Sequence, residues 1–119
     1  MNFRLLPEWA EQDAVMLTWP HKNTDWADNL ARVEPVYIEL AKHITAKQAL
    51  VIVAHDEALK THINSLLNDA GIEKTRVYFV VTPTNDTWAR DHGPLTCSAI
   101  EKPEQLKVYD FTFNGWGNK

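Results

Sequence analysis

The stretch ALVIVAHDEALKTHINSLLNDAGIEKTRVYFVV, Ala49 to Val81, decides how this chain folds. Its opening residues, Ala49-Leu50-Val51-Ile52-Val53-Ala54, are apolar without interruption. A run that short and that continuous reads as a strand with no wet face, because a half-solvated strand would alternate. Asp56 then offers a carboxylate to the unpaired N–H groups of a starting helix. Leu59, Ile63, Leu66, Leu67 and Ala70 recur at three- and four-residue steps and form one apolar side, and Gly71 ends the helix. Arg76 to Val81 is β-branched and aromatic, which predicts the next strand. Strand, helix, strand in this order implies a layered α/β fold.

The same pattern extends upstream. Ala14-Val15-Met16-Leu17-Thr18-Trp19 reads as a buried strand stopped by Pro20, followed by a polar, turn-rich segment from His21 to Asn29. Leu30, Val33, Tyr37, Leu40, Ala41 and Ile44 then make an amphipathic stripe. Pro35 fits the first turn of a helix, which places the regular helix from near Glu34 to near Ala46. Downstream, a loop from Thr82 to Gly93 leads to strands over Pro94 to Ile100 and Lys107 to Phe113, joined by the turn Glu101-Lys102-Pro103-Glu104-Gln105. The expectation is one mixed sheet with two helices packed on it.

Composition narrows the function classes. A chain of 119 residues supports one domain with a core, not two. With 45% hydrophobic and 24% charged residues, it has the balance of a soluble globular protein. A net charge of -4 with scattered lysines and arginines argues against nucleic acid, where phosphates need clustered cations. The longest apolar runs fall far short of the ~20 residues of a membrane helix. No secretory signal is visible in Met1-Asn2-Phe3-Arg4 and the residues after it, so the expected location is cytoplasmic. The single cysteine, Cys97, excludes an internal disulfide and a cysteine-based zinc site, and in its apolar setting it reads as a small packed hydrophobe.

Five tryptophans, Trp9, Trp19, Trp26, Trp88 and Trp116, all fall outside the two predicted helices. Tryptophans near turns either lid a core or line a concave site. The histidines are less telling. His21, beside Pro20, caps a turn or lines a site, while His43, His55 and His62 fall on helices or at their ends and read as solvated.

Asn85-Asp86-Thr87-Trp88-Ala89-Arg90-Asp91-His92-Gly93-Pro94 is the stretch that carries chemistry. It follows a buried strand, where α/β folds build their sites. Trp88 and Asp91 together suit a planar cation: the carboxylate accepts paired N–H bonds and the indole face attracts positive charge. Two other readings stand beside that one. Asp86 or Asp91 pairs with Arg90 and locks the loop while Trp88 caps the core, or His92 joins both aspartates around a metal.

Trp9, Trp19-Pro20-His21, Asp86-Thr87-Trp88-Ala89-Arg90-Asp91-His92-Gly93-Pro94, and Asp110-Phe111 through Phe113-Asn114-Gly115-Trp116-Gly117 stand in the order of landmarks in a known family. The chain resembles the N-terminal part of the agmatine deiminase / bacterial peptidyl-arginine deiminase family. The resemblance implies a five-bladed α/β propeller, the pentein fold, of which residues 1–119 would be a single partial domain: the first blade and the start of the second. It also implies hydrolysis of a guanidinium to a ureido group and ammonia without a metal or organic cofactor. In that family a cysteine thiolate attacks, a histidine moves protons, and two aspartates hold the guanidinium nitrogens. By motif position Asp91 is the first such aspartate and Trp88 lines the pocket. Asp86, Arg90 and His92 shape the loop, and Asn114 and Trp116 help build the centre. Cys97 does not match the family's nucleophile, and the matching Cys and His are expected beyond Lys119, which leaves this chain inactive alone.

Agmatine, giving N-carbamoylputrescine, is the first substrate the resemblance implies, and peptidyl-arginine the second. A stand-alone α/β module that keeps the cation cage without chemistry is the rival from another class. A first blade without the neighbouring blades that would cover its interior edges is expected to expose apolar surface and to self-associate.

Overall fold

A computed structural model describes residues 2–113. Strands and helices follow in the order β1 (Phe3–Leu5), β2 (Ala14–Thr18), α1 (Leu30–Thr45), β3 (Ala49–Ala54), α2 (Glu57–Asp69), β4 (Val77–Val81), α3 (Ala89–His92), β5 (Leu95–Ala99) and β6 (Leu106–Tyr109). Short 3-10 turns precede α1 and β4. The chain divides into two compact units, Gln12–Thr87 and a second made of the residues up to Glu11 with those from Trp88 onward.

The larger unit holds a parallel sheet in the order β2-β3-β4. Its register sets Leu17 beside Ile52 and Ile52 beside Phe79, so one apolar row crosses all three strands. Leu50, Ile52 and Ala54 point the same way and are fully buried with Trp19, Ala41, Ile63 and Leu67. Both long helices pack on this face: α1 brings Tyr37, Ile38 and Ile44, and α2 brings Leu59 and Leu66. Each fully buried aliphatic side chain of this core, such as Leu50, Ile52, Ile63 and Leu67, contributes about 1.5–3 kcal/mol when removed from water.

Local signals explain the ends of α2. The Asp56 carboxylate accepts from the Leu59 N–H at 2.7 Å. At the other end Gly71 takes φ +71°, the Ile72 N–H reaches the Leu67 carbonyl at 3.0 Å, and the Gly71 N–H reaches that of Asn68 at 3.0 Å. This pair of bonds is the glycine-dependent stop, and Ile72 joins the core beside Leu67. Helix α1 departs from expectation. It begins at Leu30, so Pro35 lies inside it and not in its first turn. Proline there deprives the Ala31 carbonyl of its helical partner, and both residues are exposed, so water can take that bond.

The smaller unit is an antiparallel sheet, β1-β5-β6. Phe3 pairs with Ala99, Leu5 with Cys97 and Cys97 with Lys107. The Lys107 ammonium lies 5.3 Å from the centre of the Phe3 ring and 5.0 Å from that of Tyr109, a cation–π arrangement. The expected single mixed sheet is therefore corrected: parallel and antiparallel strands occupy separate sheets. The polar gap between Val81 and Leu95 leaves no run that would extend the parallel ladder, and β5 pairs back to the N-terminal strand instead. No helix among the described residues is long and apolar enough to cross a membrane.

Candidate functional site

Gly93-Pro94 and the short β5 leave room after Thr87 for only one helical turn, α3. Trp88 is its cap residue, with φ -76° and ψ 68°, and the Asp91 N–H bonds the Trp88 carbonyl at 3.0 Å. Trp88 and Asp91 thus hold the cap and third positions of the turn, a spacing of three residues that suits two side chains sharing one side of it. Trp88 is 52% exposed and Asp91 is exposed. A large indole left half in water three positions from an exposed carboxylate is suited to gripping a flat cation.

Arg90 pairs with Glu8 Oε1 at 2.9 Å, both side chains being well exposed. Its ion pair therefore joins the turn to the N-terminal segment, not to either aspartate. His92 is half-buried in the same turn. Asn114 and Trp116 lie outside the described residues.

Asp86 is different in kind. It sits in the larger unit, 2% exposed, and its Oδ1 accepts from the Thr87 N–H at 2.8 Å and lies 3.4 Å from the Thr87 hydroxyl. That hydroxyl also accepts from Trp26 Nε1 at 3.0 Å. Burial pushes the Tyr37 phenol above its usual range, a hydrogen bond with the Thr87 side chain opposes this, and the Asp86 charge adds to it. Asp86 and Thr87 are thus the buried anchor of the strand-end loop.

The tryptophans divide by environment. Trp19 is fully buried in the core with Nε1 donating to Glu34 Oε2 at 2.9 Å, and Trp26 is half-buried; Trp9 and Trp88 stand out in solvent.

A second constellation was not anticipated. At the carboxyl ends of β2 and β3, His21 and His55 stack with ring centres 4.0 Å apart. His55, expected to be solvated, is half-buried and accepts from the Thr84 N–H at 2.9 Å. His62 donates toward Glu34, whose carboxylate lies 3.0 Å away, so it too is engaged, while His43 meets Glu39 at 3.5 Å on the surface. His21, His55, His62, Glu34 and Asp56 line a cavity of about 240 Å³. The signal for this was positional: parallel strands in register bring the residues just past their carboxyl ends together. No group of three His, Cys, Asp or Glu side chains placed to hold a metal ion occurs among the described residues.

The chain is 30% identical over 112 residues to an agmatine deiminase of Stutzerimonas stutzeri, covering 94% of this chain and 28% of that protein. An agmatine deiminase variant of C. jejuni solved with substrate bound superposes with a TM-score of 0.79 at 32% identity, covering 99% of this chain and 32% of that one. A Porphyromonas gingivalis structure carrying a provisional arginine deiminase name superposes with a TM-score of 0.76 at 39% identity, covering 99% and 32%. The chain therefore spans about a third or less of the length of these relatives. Residues 4–119 match the model of one family, and the chain belongs to it: the Porphyromonas-type peptidyl-arginine deiminases.

Proposed function

We propose that this chain is the N-terminal part of a guanidine deiminase whose first substrate is agmatine, converted to N-carbamoylputrescine and ammonia. The observation that carries this reading is the pairing of an exposed indole and an exposed carboxylate, Trp88 and Asp91, on one helical turn. That pairing falls in a chain which resembles agmatine deiminases along nearly its whole length.

Guanidinium is a poor electrophile because resonance spreads its charge. Catalysis must hold it in line with the attacking group and keep its charge balanced as a tetrahedral centre forms. Asp91 accepts N–H bonds from two guanidinium nitrogens, and Trp88 covers one face. A thiolate from another part of the protein attacks the carbon, and a histidine there protonates one nitrogen so that it leaves as ammonia. The same histidine takes a proton from the water that attacks the thiouronium carbon and releases the ureido product and the thiolate. Cys97 stands in a strand of the antiparallel sheet, paired opposite Lys107 and Leu5, and is not the candidate nucleophile. Asp86, Arg90 and His92 act as shaping residues in this reading, Asp86 from its buried position and Arg90 through Glu8. Asn114 and Trp116 belong to the same proposal. The chain alone is inactive in it.

Peptidyl-arginine is the second substrate, favoured by the family's own description. Ammonia release is measured from agmatine and from an arginine-containing peptide, using the complete protein that carries this chain. Release from agmatine supports the first reading, and release from peptide alone supports the second. Silence with both substrates leaves the rival, a module that binds the cation without chemistry, and calorimetry with agmatine then detects it.

A further inference from the structure

We propose that His21 and His55 act as an uncharged clamp that positions the Thr82–Thr87 loop and lets go of the Thr84 N–H when His55 gains a proton. The inference goes beyond the deiminase reading and does not depend on which guanidine compound is bound.

Thr84 is held by both rings. The His21 Nδ1 accepts from the Asn23 N–H at 3.2 Å, which leaves the ring proton on Nε2. That nitrogen donates to the Thr84 carbonyl at 3.0 Å, with the Thr84 hydroxyl 3.1 Å away. The His55 Nδ1 accepts from the Thr84 N–H at 2.9 Å. Both backbone groups of Thr84 are thus bound by imidazoles that stack at 4.0 Å with 23° between their planes.

Each ring needs a bare Nδ1 to make its accepted bond. An imidazolium has two donors and no acceptor, so a proton on His55 breaks the Thr84 bond and a proton on His21 breaks the Asn23 bond. Protonating both sets like charges face to face.

The surroundings of His21 oppose its own proton uptake on balance. His21 is 5% exposed, and burial lowers its proton affinity below the usual 6.5; the Thr84 carbonyl and the Asp56 and Asp86 carboxylates pull the other way, while His55 acts with burial. Glu34, His62 and Lys22 complete the titratable and charged groups around the shared cavity. Because the folded value of His21 is lowered, its half of the clamp contributes fully above 6.5. Its contribution is lost as pH falls from there through the lowered value. The loop it fixes ends in the buried Asp86 and in Thr87, which directly precedes Trp88 in sequence.

The test is nitrogen-15 NMR of the 119-residue chain with amide exchange at Thr84. At about pH 7.5 both rings are expected as Nε2–H tautomers, and Thr84 protection falls by about tenfold or more once the same spectra show a proton on both nitrogens of His55. His55→Asn keeps an acceptor where Nδ1 stood and retains Thr84 protection near neutral pH, whereas His55→Ala loses it there. The His21→Gln/His55→Asn double variant shows protection that no longer follows pH. An Nδ1–H tautomer in either ring overturns the clamp, as does Thr84 protection that stays constant while the rings titrate. Should a variant fail to fold, the tautomers and titration of the unaltered chain decide the matter.

Discussion

Asp86 and Asp91 are near neighbours in sequence but meet opposite physical conditions. Asp86 is buried and receives the Thr87 N–H, and Asp91 stands in water on a single helical turn. Their replacement should therefore separate stability from chemistry. Asp86→Ala strips the half-buried Thr87 N–H of its acceptor and is expected to cost about 1–3 kcal/mol, read as a lower urea midpoint of this chain. Asp91→Asn should leave that midpoint within about 0.5 kcal/mol. In the complete protein it should lower agmatine turnover by about 10²–10³, the scale of losing one preorganised polar contact. A midpoint that drops with Asp91→Asn would mean the carboxylate supports the fold and not a ligand. Thr18 supplies a further case. Its hydroxyl is buried with no hydrogen-bond partner among the described residues. Thr18→Val removes that unpaired group at nearly constant shape and is expected to stabilise by about 1 kcal/mol. Unchanged or lower stability in urea denaturation would show that the hydroxyl is satisfied after all.

Among the elements, α2 was legible from end to end because its cap, stripe and stop are each carried by residue type. Asp56→Ala should cost about 1 kcal/mol by freeing the Leu59 N–H. Gly71→Ala should cost about 1 kcal/mol, since nothing lies near the added methyl and the penalty is purely that of a left-handed backbone. Thermal denaturation checks both; a Gly71→Ala variant as stable as the parent would mean that the turn relaxes to a negative φ. Strand β3 was equally plain, as an unbroken apolar run. The start of α1 was not, because proline's usual place in a first turn outweighed the stripe that begins at Leu30. Strand β1 is only three residues long and carries no periodicity to read. The pairing of His21 with His55 leaves no mark in the sequence because it depends on strand register, which brings together residues far apart in the chain. The indole and carboxylate of α3 were legible as types at a spacing, and their exposure was not.

For the molecule as a whole, the sequence implied α/β layering but not the division into two sheets, since pairing across a long chain separation leaves no local mark. The parallel sheet also raises a question that strand patterns alone do not. Parallel strands are ordinarily covered on both faces, and here the two long helices lie on the Leu50–Ile52–Ala54 side. The opposite side carries the rows Met16–Val51–Tyr78 and Thr18–Val53–Val80 by register. Tyr78 is 59% and Val80 46% exposed, and both belong to β4, which ends the sheet. An apolar row on an edge strand is a template for association with another copy. Sedimentation of the 119-residue chain is therefore expected to show a mass that rises with concentration. Replacing both residues, Tyr78→Lys and Val80→Lys, should return it to a monomer by placing like charges on that edge, with the helices and the β3 core left in place. A chain that sediments as a monomer at every concentration would show that this face is stable in water as it stands. A chain that still associates after the double replacement would place the contact elsewhere.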